Sequence, residues 1–180
     1  DMTKLRNCLD TISIYVGTYK KYNEGSLFGK WFELSDYADY DEFLEAIKEL
    51  HKDEGDPEFM FQDYECPKSI ETLGLISECY LSKEIYNIAS LISDLNYDYE
   101  VLDSFFDCFG NMDLNEAIDR INDSYYGSFD SDIEFVQYLL EETGDLPQNL
   151  PFYIRIDWEG TAKDVMMDFS TSGNHYFRNY

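Results

Sequence analysis

Asp94, Asn96 and Asp98 have the spacing of the first, third and fifth ligands of a calcium-binding loop. Such a loop also needs glycine at its sixth position, for the sharp turn, and a bidentate glutamate at its twelfth. Tyr99 and Phe105 stand at those two places, and the run that starts at Asp113 fails at its fifth, Ala117. Neither segment reads as a cation site. His51 and His175 are the only histidines, and neither lies in an acyl-transfer motif; as lone histidines they read as bland surface residues. Glu141 and Glu142 could serve as acid and base, but among 38 carboxylates adjacency arises by chance. The 10 glycines are dispersed and form no phosphate-cradling loop. The residues predict no active site, no metal and no cofactor.

What is left is chemistry that carboxylates do together. Residues 83–145 hold 16 acids against Lys83 and Arg120 alone. Apolar residues recur there at helical spacing, so the acids fall on the opposite faces. Over about 98–109, Val101, Leu102, Phe105, Phe106 and Phe109 make the apolar stripe, and Glu100, Asp103 and Asp107 line the other side. Over 113–122, Leu114, Ala117, Ile118 and Ile121 point inward, and Glu116, Asp119 and Asp123 outward. Ser131 and Glu134 form a capping box for a helix that buries Ile133, Val136, Leu139 and Leu140 and ends at Gly144.

Neighbours three or four apart on a helix lie about 5–6 Å from each other, so these rows space their charges regularly. A duplex carries one negative charge per about 1.7 Å of axis, so the chain's charge of −25 corresponds to roughly 42 Å of DNA. Asp94, Asp98, Glu100, Asp103, Asp107, Glu116, Asp119, Asp123, Asp132 and Glu134 are the candidate phosphate mimics. Two readings stand at this point. The rows are solvated faces that keep the protein soluble, or they occupy lysine and arginine sites that otherwise neutralise phosphates. Ordinary solvated helices intersperse both signs, whereas bases are nearly absent here.

Other segments supply the frame. Ile12, Ile14 and Val16 alternate with Ser13, Tyr15 and Gly17, as in a half-buried strand. Asn23-Glu24-Gly25 reads as a turn and Leu27–Phe32 as the returning strand. Asp39 and Glu42 open a helix through Phe43, Leu44, Ile47 and Leu50, which Gly55-Asp56-Pro57 closes before a strand at Phe59-Met60-Phe61. Helical spacing continues over 70–80 and 83–95, and a helix is predicted near 150–166 before short strands at 169–171 and 175–177. The expected class is α+β and elongated: a small N-terminal antiparallel sheet with a helix, a central acidic helical bundle and a C-terminal α+β part. The corresponding divisions are 1–66, 67–122 and 123–180, with Cys66-Pro67 at the first boundary.

Composition narrows the setting. Chains this acidic are commonly disordered, yet this one is 44% hydrophobic and 17% aromatic, enough for a core. Its field repels nucleic acid and anionic membranes and attracts basic surfaces. No run approaches the about 18 apolar residues of a membrane span, and Asp1–Leu5 show no secretory pattern. Cys8, Cys66, Cys79 and Cys108 are scattered and read as buried thiols in a reducing, cytoplasmic setting.

Several motifs occur in a recognisable order. Tyr15-Val16-Gly17-Thr18-Tyr19-Lys20-Lys21-Tyr22-Asn23-Glu24-Gly25 precedes Gly29-Lys30-Trp31-Phe32; Asp63-Tyr64-Glu65-Cys66-Pro67 follows, and then Tyr138-Leu139-Leu140-Glu141-Glu142-Thr143-Gly144. Tyr153-Ile154, Asp157-Trp158 and Phe169-Ser170-Thr171 come last. Together they resemble the ArdA antirestriction proteins over about residues 12–177. That resemblance implies a homodimeric DNA mimic carried by mobile elements, which needs no cofactor and binds the methyltransferase core of type I restriction–modification enzymes. It also implies that Leu139, Leu140, Glu141, Glu142, Thr143 and Gly144 belong to an antirestriction motif associated with dimerisation. The alternative is an acidic module that docks on a basic partner without displacing DNA.

Overall fold

A computed structural model describes residues 7–180; the opening Asp1–Leu5 stretch lies outside the described residues. The fold is α+β and divides into two compact units, Asp1–Asp103 and Ser104–Tyr180.

The first unit is organised by β1 (Ser13–Thr18), which pairs antiparallel with β2 (Lys30–Glu33) on one side and β3 (Phe59–Glu65) on the other. Ile12, Ile14 and Val16 are fully buried, as their alternation requires. A register shift after Tyr15 lets Gly17 and Thr18 be buried too. Helix α1 (Tyr19–Asn23) is a single turn absent from the sequence reading, which placed only Asn23-Glu24-Gly25 in a turn, and β2 starts at Lys30. Leu27 and Phe28 therefore lie outside the strand and are exposed. Helix α2 (Tyr40–Leu50) begins at Asp39, whose carboxylate accepts the Glu42 amide at 2.8 Å, while Glu42 accepts from the Ala38 amide at 3.2 Å. Its Phe43 meets the Phe32 ring edge-on at 5.9 Å, which seats the helix on the sheet.

The helix expected over 70–80 is not there. Helix α3 (Lys68–Thr72) stops at Gly74, which has φ 72°, and a two-stranded hairpin follows, β4 (Ile76–Ser77) and β5 (Tyr80–Leu81). Leu75, Ile76 and Leu81 are buried, so apolar spacing that suits a helix is here satisfied by a turn and a hairpin. Helices α4 (Ile85–Ser93) and α5 (Tyr99–Phe109) follow, and the Tyr86 hydroxyl donates to the Leu34 carbonyl at 2.7 Å, tying α4 to the strand layer.

The second unit contains α6 (Leu114–Ser124), β6 (Tyr125–Ser128), α7 (Asp132–Thr143), α8 (Trp158–Val165), β7 (Phe169–Ser172) and β8 (His175–Arg178). Its sheet order is β6-β8-β7, antiparallel throughout. Phe135, Val136, Leu139, Ala162, Phe169 and Tyr176 form its core, with the Phe135 and Tyr176 rings stacked at 4.5 Å. Strand β6 is absent from the sequence reading. Helix α8 is half the expected length, because Asp157 caps it, accepting the Gly160 amide at 3.0 Å. Pro147 and Pro151 lie in the irregular run before it.

All four cysteines are free; Cys8 is buried, Cys66 and Cys108 are half-buried and Cys79 is exposed on the hairpin turn, contrary to the expectation of four buried thiols. Burial, with Asp103 and Glu71 or Asp98 adding to it, pushes the Cys8 and Cys66 thiols up to about 12. Both are inert at neutral pH.

Candidate functional site

In the first unit, Asp94 is exposed at the C-terminal end of α4. Asp98 is half-buried and caps α5 by accepting the Glu100 amide at 3.0 Å. Glu100 is exposed in the first turn of α5, where a negative charge meets the helix dipole favourably. Asp103 departs from the outward row. It is half-buried and accepts the Ser69 amide of α3 at 2.7 Å, satisfying a first-turn donor that Pro67 leaves without a side-chain cap.

In the second unit, Asp107 is exposed and accepts from the Ser172 hydroxyl at 3.1 Å. Helix α6 presents the cleanest row. Leu114, Ala117 and Ile121 are buried on one side, and Glu116, Asp119 and Asp123 are exposed on the other. Arg120 pairs with Glu116 at 2.9 Å and lies over the Tyr180 ring at 4.2 Å. Helix α7 begins at Ser131, which accepts the Glu134 amide at 3.1 Å, while Glu134 accepts from the Asp130 amide at 2.7 Å. Asp132 accepts from the Tyr176 hydroxyl at 2.7 Å. Burial first, and that bond second, push the Tyr176 phenol up to about 12.

The carboxylates thus fall into two classes. Glu100, Glu116, Asp119 and Asp123 stand on exposed helix faces. Asp98, Asp103, Asp107, Asp132 and Glu134 also accept hydrogen bonds that shape the fold, and Asp94 is exposed at the end of α4. Leu139 is buried and Leu140 half-buried, whereas Glu141, Glu142, Thr143 and Gly144 are exposed. Gly144, at φ 74°, ends α7 in the left-handed conformation that glycine adopts without steric cost. The Leu140 carbonyl then accepts the Asp145 amide at 3.0 Å, and the Thr143 hydroxyl donates to Asp145 at 3.0 Å.

One constellation escaped the sequence reading. His51 is fully buried, not on the surface. Its Nδ1 lies 3.0 Å from the Lys21 ammonium and its Nε2 3.1 Å from the Val16 carbonyl. Lysine can only donate, so Nδ1 accepts and the ring carries its proton on Nε2. The same ammonium reaches Asp53 at 2.9 Å and Glu54 at 2.8 Å, and Glu54 also accepts from the Thr18 hydroxyl at 2.7 Å. The ligand atoms of His51, Asp53 and Glu54 lie within 4.8 Å of one another, as in a metal site. Lys21 lies within hydrogen-bonding distance of all three, so the cation of this cluster is a side chain. The cluster fastens α1 and the Asp53–Glu54 turn to β1. His51, Asp53 and Glu54 are close in sequence, but no local signal joins them to Lys21, which stands 30 residues from His51.

An open groove of about 510 Å³ between α2 and the β4–β5 hairpin is lined by Phe43, Ile47, Phe59, Tyr80 and Leu81, with Lys83 and Glu84 among its polar residues and no histidine. Among the described residues no helix is long and apolar enough to cross a membrane.

Residues 14–178 match the family model of the antirestriction protein ArdA. No curated protein matches the chain. With nearly its whole length inside the family model, this chain belongs to the ArdA family of antirestriction proteins.

Proposed function

We propose that this antirestriction protein works as a DNA mimic. Its carboxylates occupy the lysine and arginine sites with which a type I restriction–modification enzyme holds the phosphates of its substrate. The protein binds the methyltransferase core, excludes DNA, and so blocks restriction and modification. It acts by occupancy and not by turnover, and it uses no cofactor. The observation that carries this reading is α6, where Glu116, Asp119 and Asp123 stand exposed on a helix whose other face is buried. Its acidity is therefore held in place by a packed scaffold and not by a loose tail.

A homodimer formed through the Leu139–Gly144 region belongs to the same reading, as does the three-part division at 66 and 122. Two chains would carry −50, the charge of roughly 85 Å of duplex. A two-fold inhibitor also suits an enzyme that reads a two-part site. A bound mimic releases counterions as DNA does, so binding weakens steeply as salt rises.

Plasmid transfer tests the biological claim. Unmodified plasmid entering a host with an active type I system should survive when the protein is expressed and be restricted when it is not. Equal restriction in both hosts would refute the reading.

A further inference from the structure

The acidic helices leave one surface of the first unit unexplained. Strand register sets Trp31 of β2 beside Tyr15 of β1, Tyr15 beside Asp63 of β3, and Ser13 beside both Glu33 and Glu65. Side chains alternate along a strand, so these residues share the face opposite the buried Ile14, Val16 and Phe32. Trp31 is 43% exposed, Leu27 67% and Phe28 50%. The Lys30 side chain turns to the other face, over the Phe32 ring at 5.3 Å.

This apolar ridge is fixed in place. The Tyr15 hydroxyl donates to the Leu27 carbonyl at 2.7 Å, and the Tyr15 ring meets Trp31 edge-on at 5.7 Å. Gly29 lies so close to β1 that a Cβ there would come within 2.6 Å of the Val16 carbonyl and 2.8 Å of the Tyr15 ring. Phe28 packs edge-on against His51 at 5.7 Å and lies 5.4 Å from the Lys21 ammonium. Through Phe28, the cluster of Lys21, His51 and Glu54, with the exposed Asp53 at its rim, abuts the Leu27–Gly29 end of the ridge.

Single exposed hydrophobes are ordinary. An ordered Trp–Tyr pair is the composition of a binding hot spot, and the exposed Leu27 adds apolar area beside it. Glu33, Asp63 and Glu65 beside it set the sign of the partner. We infer that this sheet face is a second docking surface for the same basic enzyme, with Trp31, Tyr15 and Leu27 as its anchor. The inference rests on the reading given under Proposed function. Guanidinium groups are attracted to indole and phenol faces and pair with the surrounding carboxylates, which fits a surface rich in arginine. A second copy of this chain, also at −25, would set like charge against that rim. DNA has no counterpart to the ridge. The apolar part of its contribution is therefore indifferent to salt, and it favours inhibitor over duplex increasingly as salt rises.

The test is a salt series. Wild type, Trp31→Ala and Leu27→Ser are titrated against a type I methyltransferase core from low to high salt. Each variant should bind about tenfold more weakly at every salt concentration, with the slope of log affinity against log salt unchanged. The exposed Leu27→Ser should melt as the wild type does, which separates lost contact from lost fold. In a Trp158→Phe background, Trp31 emission should shift to the blue and become protected from acrylamide in the complex. Unchanged affinity of both variants, or Trp31 equally quenched in the complex, overturns the inference and leaves the mimicry reading standing. Protection that grows with the inhibitor's own concentration assigns the face to a second copy and overturns it too. Failure of the wild type to bind the core sinks both readings.

Discussion

Lys21 is the residue on which the first unit turns. Its side chain is 13% exposed and that of Glu54 8%, so removing the lysine strands a carboxylate away from water. Losing one member of a buried pair costs about 3–5 kcal/mol, and Lys21→Met should lose about 3 kcal/mol in urea unfolding at pH 7. The hydrogen bond from Lys21 holds the Glu54 carboxyl below its ordinary range. A lowered carboxyl stabilises above its unfolded pKa and loses that contribution as pH falls through the folded value. The gap between Lys21→Met and wild type should therefore narrow below about pH 4, because protonated Glu54 needs no partner; a gap constant with pH would contradict this. Asp103 and Asp119 make a second comparison. Asp103→Ala strips the cap from α3 and should cost about 1 kcal/mol, whereas Asp119→Asn should stay within about 0.5 kcal/mol, both read by thermal melting. In the sequence these two aspartates are indistinguishable members of acidic rows. Only the approach of α3 separates them, and no spacing within α5 announces a partner 34 residues away.

Among the elements, α6 carries the argument for a patterned surface. Glu116 to Asp119 and Asp119 to Asp123 are like-charge neighbours at helical spacing, each costing about 0.2–0.5 kcal/mol. Changing all three to amides should leave stability level or slightly raised at low salt, the loss of the Arg120 pair offsetting part of the gain. The same change should weaken binding to the methyltransferase core by a graded amount and flatten its salt dependence. Loss of all binding from any one of the three changes would instead point to a catalytic or single-contact role. Helices α2 and α4 to α7 were legible because each has an apolar stripe, and the capping boxes at Asp39 of α2 and Ser131 of α7 both form. The failures share one cause. Gly74, Asp157 and the Tyr125-Tyr126-Gly127 run are local stop and strand signals, and apolar spacing alone overrode them in the reading. Strand β6 in particular is stabilised by its pairing to β8, some fifty residues later, which no local window contains.

At the scale of the whole molecule the governing quantity is the charge of −25. Self-repulsion opposes the compact state and is screened by salt, so the melting temperature should rise by several degrees between about 20 and 300 mM salt. A fall over that range would mean that the carboxylates are locally balanced. Net charge and the helical stripes were plain in the sequence, and so was the order of motifs that marks the family. The Trp31 ridge and the Lys21 cluster were not, since both depend on register between strands and on a helix end meeting a sheet. The account comes down to whether the carboxylates take the place of phosphates, and displacement measures that directly. A fluorescent duplex bound to a type I methyltransferase core is titrated with the protein while anisotropy is followed. Mimicry predicts that the anisotropy falls to the value of free duplex, with a midpoint that rises in proportion to the duplex concentration. A plateau at the anisotropy of a larger, ternary complex would contradict it and identify the protein as an acidic module that docks without displacing DNA.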